Sequence, residues 1–154
     1  MNLRMIPLTL AVSLALLVGC QESSSETSRD VAEARVEAAE SNDDAREDAA
    51  QEMSDASGEL SEARQDYREA EGDAHDDLNE SESEAMVAAA HARYDVMHTA
   101  AQGRHKVAME RCDGMSRGEE RDACQTEADG VLAVGESEAE QERDEALLAA
   151  SRHR

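Results

Sequence analysis

Pro7 is the only proline in the chain, so the sequence downstream lacks the one residue type that cannot continue a helix. What fills it instead is alanine, with glutamate, glutamine, arginine and methionine, the residues that lose least on entering a helix. β-Branched residues never alternate over a useful length, and Val131-Leu132-Ala133-Val134 is the one short apolar run after the first eighteen residues that holds two of them. The expected fold class is all-α. Phe and Trp are absent, Tyr67 and Tyr94 are the only aromatic residues, and large aliphatic side chains are few. Such an inventory cannot fill a thick core, which limits the chain to one small, elongated or partly disordered domain.

Spacing sets the organisation. Residues 21–28 (QESSSETS) form a polar, serine-rich stretch that reads as a tether. Small or apolar residues then recur at Val31, Ala34, Ala38, Ala45, Ala49, Met53, Ala56, Leu60, Ala63, Tyr67, Ala70 and Ala74. From Met53 the steps alternate three and four, a thin heptad seam suited to a helical partner or to self-association, with a solvated single helix as the alternative. A helix over 29–71 is about 65 Å long. Residues 72–81 (GDAHDDLNES) read as a turn, and Ser81 with Glu84 as a capping box opening a second helix. Its seam is Val87, Ala90, Tyr94, Met97, Ala101, Ala108 and Met115, with Cys112 on the flank. Gly114 and Gly118 bracket a loop, a third helix begins near Glu119, and Gly130 and Gly135 are expected to interrupt it. Ser137 and Glu140 offer a capping box for a last helix ending near Ala150. The expected architecture is a long acidic helix or coiled-coil arm over 29–79 and a disulfide-linked helical hairpin over 80–154, best packed at 82–128. In this reading the arm holds the hairpin away from a membrane or presents it to a partner.

Charge works against the arm. The formal net charge is −22, and Lys106 is the only lysine. Glu33/Glu37, Glu40/Asp44, Asp43/Glu47, Asp44/Asp48 and Asp48/Glu52 are like-charge neighbours one turn apart. Each costs roughly 0.2–0.5 kcal/mol at low salt. Screening shortens their reach to about 8 Å at physiological ionic strength and about 3 Å at 1 M. Residues 29–79 are therefore expected to be helical only under screening, as befits an acid-rich, lysine-poor chain from salty or alkaline water; a disordered acidic spacer is the alternative. Nucleic acid is not an expected partner, because no basic patch is present to meet phosphates.

The first nineteen residues have the zones of an exported leader: Arg4, an apolar run over 6–18, then Val18-Gly19 before Cys20. The run is too short to span a bilayer. Leu17-Val18-Gly19-Cys20 resembles the lipobox of bacterial lipoproteins. That resemblance implies cleavage of residues 1–19, lipid attachment at Cys20, and a chain tethered at 20–28. Each buried methylene contributes about 0.8 kcal/mol, so two or more acyl chains anchor stably. Gln21 occupies the place where an aspartate favours inner-membrane retention in enteric bacteria, so the resemblance implies an outer-membrane location facing the periplasm, with the inner membrane as the alternative. Removing residues 1–19 takes away Arg4 and leaves 14 basic against 37 acidic residues, or −23.

With Cys20 lipidated, Cys112 and Cys124 remain, in a compartment that oxidises thiols. Eleven residues including two glycines lie between them, so facing helix positions bring them within disulfide reach. The spacing is neither a zinc pair nor a redox-active C-x-x-C. Residues 104–128 (RHKVAMERCDGMSRGEERDACQTEA) resemble a two-cysteine segment of small alanine-rich periplasmic proteins of proteobacteria. The shared features are Lys106 or His105 with Ala108, Cys112-Asp113, Gly118, Arg121-Asp122-Ala123-Cys124, and Glu127-Ala128. The loop is one residue longer here, and the resemblance implies a helical hairpin and no known activity.

His91, His98 and His105 recur every seven residues, in line with Cys112. Neighbours two turns apart are about 10 Å from each other, too far to share one ion. Asp95 lies between the first two, and the four residues are weak metal candidates beside the reading as flanking polar groups. No Gly-x-Ser-x-Gly elbow, phosphate loop or HExxH is present, and no cofactor is expected. The expectation is a non-enzymatic, lipid-anchored envelope protein acting as a helical spacer or interaction module. The alternative is a cation-binding or stress-responsive periplasmic protein using the acidic face and the histidine row.

Overall fold

The structure, a computed structural model, describes residues 24–69 and 74–153. The leader over 1–19, Cys20 and the turn at Gly72 lie outside the described residues. Three helices make up the rest: α1 (Ser24–Glu69), α2 (Ala74–Asp113) and α3 (Glu119–Ala150). Among the described residues there is no strand. The fold is all-α, and Cys112 and Cys124 form a disulfide between α2 and the first turns of α3.

All three helices run antiparallel to their neighbours, with α2 in the middle. Thr27 of α1 lies against Gly114, Ala38 against Gly103, and Arg64 beside Glu82. On its other side α2 places Ala101 against Gly135 and Ser83 against Ala150. Among the described residues α1 and α3 do not pack on each other. The acidic arm is therefore not free-standing. It lies along the hairpin, and its amino-terminal end sits at the disulfide loop, so it does not hold that loop at a distance.

The core is a pair of narrow seams built from small side chains. Ala34, Ala49, Ala90, Ala92, Ala101, Cys112, Ala128, Ala139 and Ala150 are its buried apolar residues, joined by Ser83 and Gly135. Helices whose facing residues are this small approach closely, so contact comes from backbone and β-carbons rather than from interdigitated large side chains. Of the residues expected on the α1 seam, Val31, Ala34, Ala38, Ala45, Ala49, Ala56, Leu60 and Ala63 turn inward, and Asn42 joins them. Met53 and Tyr67 stay exposed, Tyr67 meeting the His75 ring edge-on at 5.9 Å. Because α2 packs on two sides it needs two stripes. Ala90, Ala101 and Cys112 are buried, with Ala101 and Cys112 set against α3, whereas Ala92 and Gly103 belong to the side lying along α1.

Several boundaries differ from those read in the sequence, each for a tertiary reason. Helix α1 begins inside the expected tether, because Thr27 already has Gly114 to pack on and the Ser28 hydroxyl donates to the Ser24 carbonyl at 2.7 Å. Helix α2 begins at Ala74, with Asp76 and Asp77 in its positive first turn, and runs through the Ser81–Glu84 signature. Ser83, between those two residues, is buried and donates to the Ala150 carbonyl at 3.2 Å, so this stretch serves the end of α3. Neither Gly130 nor Gly135 breaks α3, and the Ser137–Glu140 signature also lies within it. Gly135 is a contact surface: a β-carbon there would stand 3.0 Å from that of Ala101. The α2–α3 connection turns at Gly118, whose φ of 142° is open to glycine and strained for other residues.

Candidate functional site

The histidine row is absorbed into a polar ladder along the α2–α3 edge. The His98 ring stacks on Tyr94 with centroids 5.4 Å apart, and the Arg143 guanidinium sits 4.8 Å from the Tyr94 centroid. Arg143 also donates to Asp144 at 2.7 and 3.0 Å, and that hydrogen bond holds the guanidinium above its ordinary value. His98 Nε2 lies 3.3 Å from a Glu136 oxygen, and His105 Nε2 lies 2.8 Å from Asp129. His91 is exposed. Each of His98 and His105 thus meets a carboxylate of the opposite helix rather than the next histidine. Among the described residues no three His, Cys, Asp or Glu side chains come together to hold a metal ion. Asp95 points the other way, lining a groove with Asp48, Glu52 and Asp55 of α1.

The disulfide end is closed by a second cluster. Cys112 is 1% exposed, and its Cα stands 5.6 Å from that of Cys124. Asp113, next in the chain, accepts from Arg121 and, at 3.1 Å, from Gln125. The Cys-Asp and Arg-Asp-x-Cys pieces of the segment thus meet physically, one ion pair bracketing the covalent link across the loop.

Among the grooves along the α1–α2 seam of the described residues, two differ in charge. One, of about 480 Å³, carries the four carboxylates named above. The other, of about 610 Å³, is lined by Arg35 and Arg46 of α1 and by Arg104 and Arg111 of α2, over a floor that includes Gly103 and Asn42. Sequence reasoning missed this second groove because its arginines are scattered along two helices and meet only in the antiparallel register. No helix among the described residues is long and apolar enough to cross a membrane. No protein-family model, curated protein or solved structure matches the chain.

Proposed function

We propose that the chain is a non-enzymatic bacterial envelope lipoprotein, anchored through Cys20, whose helical body acts as a spacer or protein-interaction module on the periplasmic side of the outer membrane. The observation that carries this reading is the use of the three cysteines. Two are consumed in the Cys112–Cys124 link, as suits an oxidising compartment, and the third follows the apolar run and Gly19 in the sequence. The body supports the role as well. Its helices are long and joined by small-residue seams, a build that gives reach and stiffness from few large side chains. Two or more acyl chains on Cys20 would anchor it stably.

Labelling intact cells with palmitate tests the anchor. Label is expected on the native chain and absent from Cys20→Ser, with the native chain in the membrane fraction. Absence of label from the native chain would remove the anchor and with it the proposed location.

A further inference from the structure

We propose that two copies of this chain pair face to face, each laying its α3 in the groove between α1 and α2 of the other. The three helices form one layer, because α1 and α3 flank α2 without packing on each other among the described residues. The two faces of that layer differ. One holds the acidic groove toward α1 and the histidine ladder toward α3, with His91 and Gln102 exposed between them. The other holds the arginine groove and, further along α2, a second groove with Leu60, Met86 and Ala89. Among the residues lining these two grooves Glu82 is the one carboxylate, and Arg64 binds it at 3.2 Å.

Helix α3 carries the complement on its open edge. One edge is engaged in the ladder, where Asp129 and Glu136 meet His105 and His98. Leu132, Gly135 and Ala139 turn toward α2, so the next stripe round the helix, Glu127, Val131, Val134 and Glu138, looks out on the arginine side of the layer. Val131 and Val134 are 56% and 58% exposed. Arg35, Arg111, Glu127 and Glu138 form no ion pair among the described residues. An apolar pair between two carboxylates is thus open on one helix, and a floor of small side chains between arginines is open beside it.

A two-fold axis parallel to the helices brings these surfaces together twice, as an isologous contact requires. Rotation about such an axis leaves heights unchanged, so register within one copy is register between copies. Ala38 faces Gly103 and Ala101 faces Gly135. The second copy's Val131 and Val134 therefore bracket the height of Gly103 and Ala38, where the floor lacks large side chains. Its Glu127 comes within three residues of the heights of Arg35 and Arg111, or roughly 5 Å. Its Glu138 comes equally close to the height of Arg46, which already has Asp43 at 3.9 Å. Arg104 turns to the α3 of its own chain, with Nη2 3.5 Å from a β-carbon built on Gly135. The charge match therefore rests on Arg35 and Arg111 with Glu127. A contact about 40 Å long and two helices wide covers roughly 800 Å² on each copy, the size of a standard stable interface. The net charge of −22 makes two copies repel, but at 0.15 M salt that reach is about 8 Å, so the facing side chains decide.

Sedimentation equilibrium of the full chain carrying Cys20→Ser, at 0.15 M salt over a range of concentrations, tests the pairing. Two copies per particle are expected, separating on dilution. Glu127→Arg alone and Arg111→Glu alone should each weaken association by roughly tenfold or more, because each sets like charges together twice across the axis. Both substitutions in one chain restore opposite charges and should recover the dimer. Asp95→Arg, on the opposite face, should leave association unchanged. Circular dichroism of each variant checks that the helices persist. A chain monomeric at every concentration would overturn the proposal, as would a folded Glu127→Arg variant that pairs as tightly as its parent or a double variant that fails to recover. A monomer that sediments with phosphatidylglycerol vesicles would overturn it too, giving the face to a lipid surface. The pairing supplies a partner for the interaction-module reading, and because Cys20→Ser removes lipid from the measurement, its failure and that of the palmitate experiment are separate results.

Discussion

Placing a methyl group on Gly103 tests whether the seam between α1 and α2 is held at backbone contact. A β-carbon there would stand 2.9 Å from the β-carbon of Ala38 and 3.4 Å from its Cα. Ordinary carbon contacts lie at about 3.5–4.0 Å, so the new atom intrudes by about 0.6–1 Å. Neither partner is the end of a flexible side chain, and the only relief is to move the helices apart. Overpacking of this kind costs about 1–3 kcal/mol. Alanine's helix propensity returns up to about 1 kcal/mol, which would hide part of the cost in a single measurement. Gly130 removes that ambiguity, because a β-carbon there meets nothing within 4 Å. Gly130→Ala should therefore stabilise by about 0.5–1 kcal/mol. The gap between Gly103→Ala and Gly130→Ala isolates the packing term, expected at about 1–3 kcal/mol. Urea unfolding followed by far-ultraviolet circular dichroism measures both. Adding Ala38→Gly to Gly103→Ala should recover part of the loss through coupling across the contact. Equal stabilisation by Gly103→Ala and Gly130→Ala would refute a close-packed seam.

Other expectations follow from the same structure. Replacing Cys112 and Cys124 together with alanine should lower stability by about 3 kcal/mol, read as a fall in urea midpoint, with a smaller effect meaning that the unfolded loop is already constrained. The helicity of the chain should rise across a sodium chloride series as the carboxylates of α1 are screened, and helicity indifferent to salt would exclude like-charge repulsion as a control on α1. Asp113→Ala should cost about 0.5–1 kcal/mol, because the acceptor of Arg121 and Gln125 is partly exposed. A double-mutant cycle with Arg121→Ala should then show coupling between the two, and purely additive losses would break the argument for the bracket.

Much of the α1 seam was legible because its small residues recur at heptad spacing, which lets another helix approach along one face. Asn42 was not, since an amide occupies a position that pattern reading reserves for apolar groups. The second stripe of α2, with Ala92 and Gly103, was hidden by composition: in an alanine-rich helix almost any face resembles a seam, and only the presence of two neighbours says that two are used. Glycine carried the largest ambiguity. Gly118 turns the chain as expected, whereas Gly135 lies mid-helix because Ala101 presses on it, and local sequence cannot tell a breaker from a contact. Capping signatures at Ser81 and Ser137 misled for a related reason, since tertiary packing extends a helix past any local stop. The pairing of Cys112 with Cys124 was accessible by counting. The arginine groove depends on inter-helix register, which no single stretch of sequence contains.

An odd number of antiparallel helices sends the two ends of the folded body in opposite directions. Ser24 lies beside the disulfide loop, while Ala150 touches Ser83, which register sets level with Gly58 on α1. At 1.5 Å per residue that is about 50 Å of stand-off from Ser24. A reporter fused behind α3 would ride at that height, whereas one inserted at Arg117 would stay at the base. The geometry thus works as a ruler within the folded body: the carboxyl-terminal end of α3 lies about 50 Å along the helix axes from Ser24.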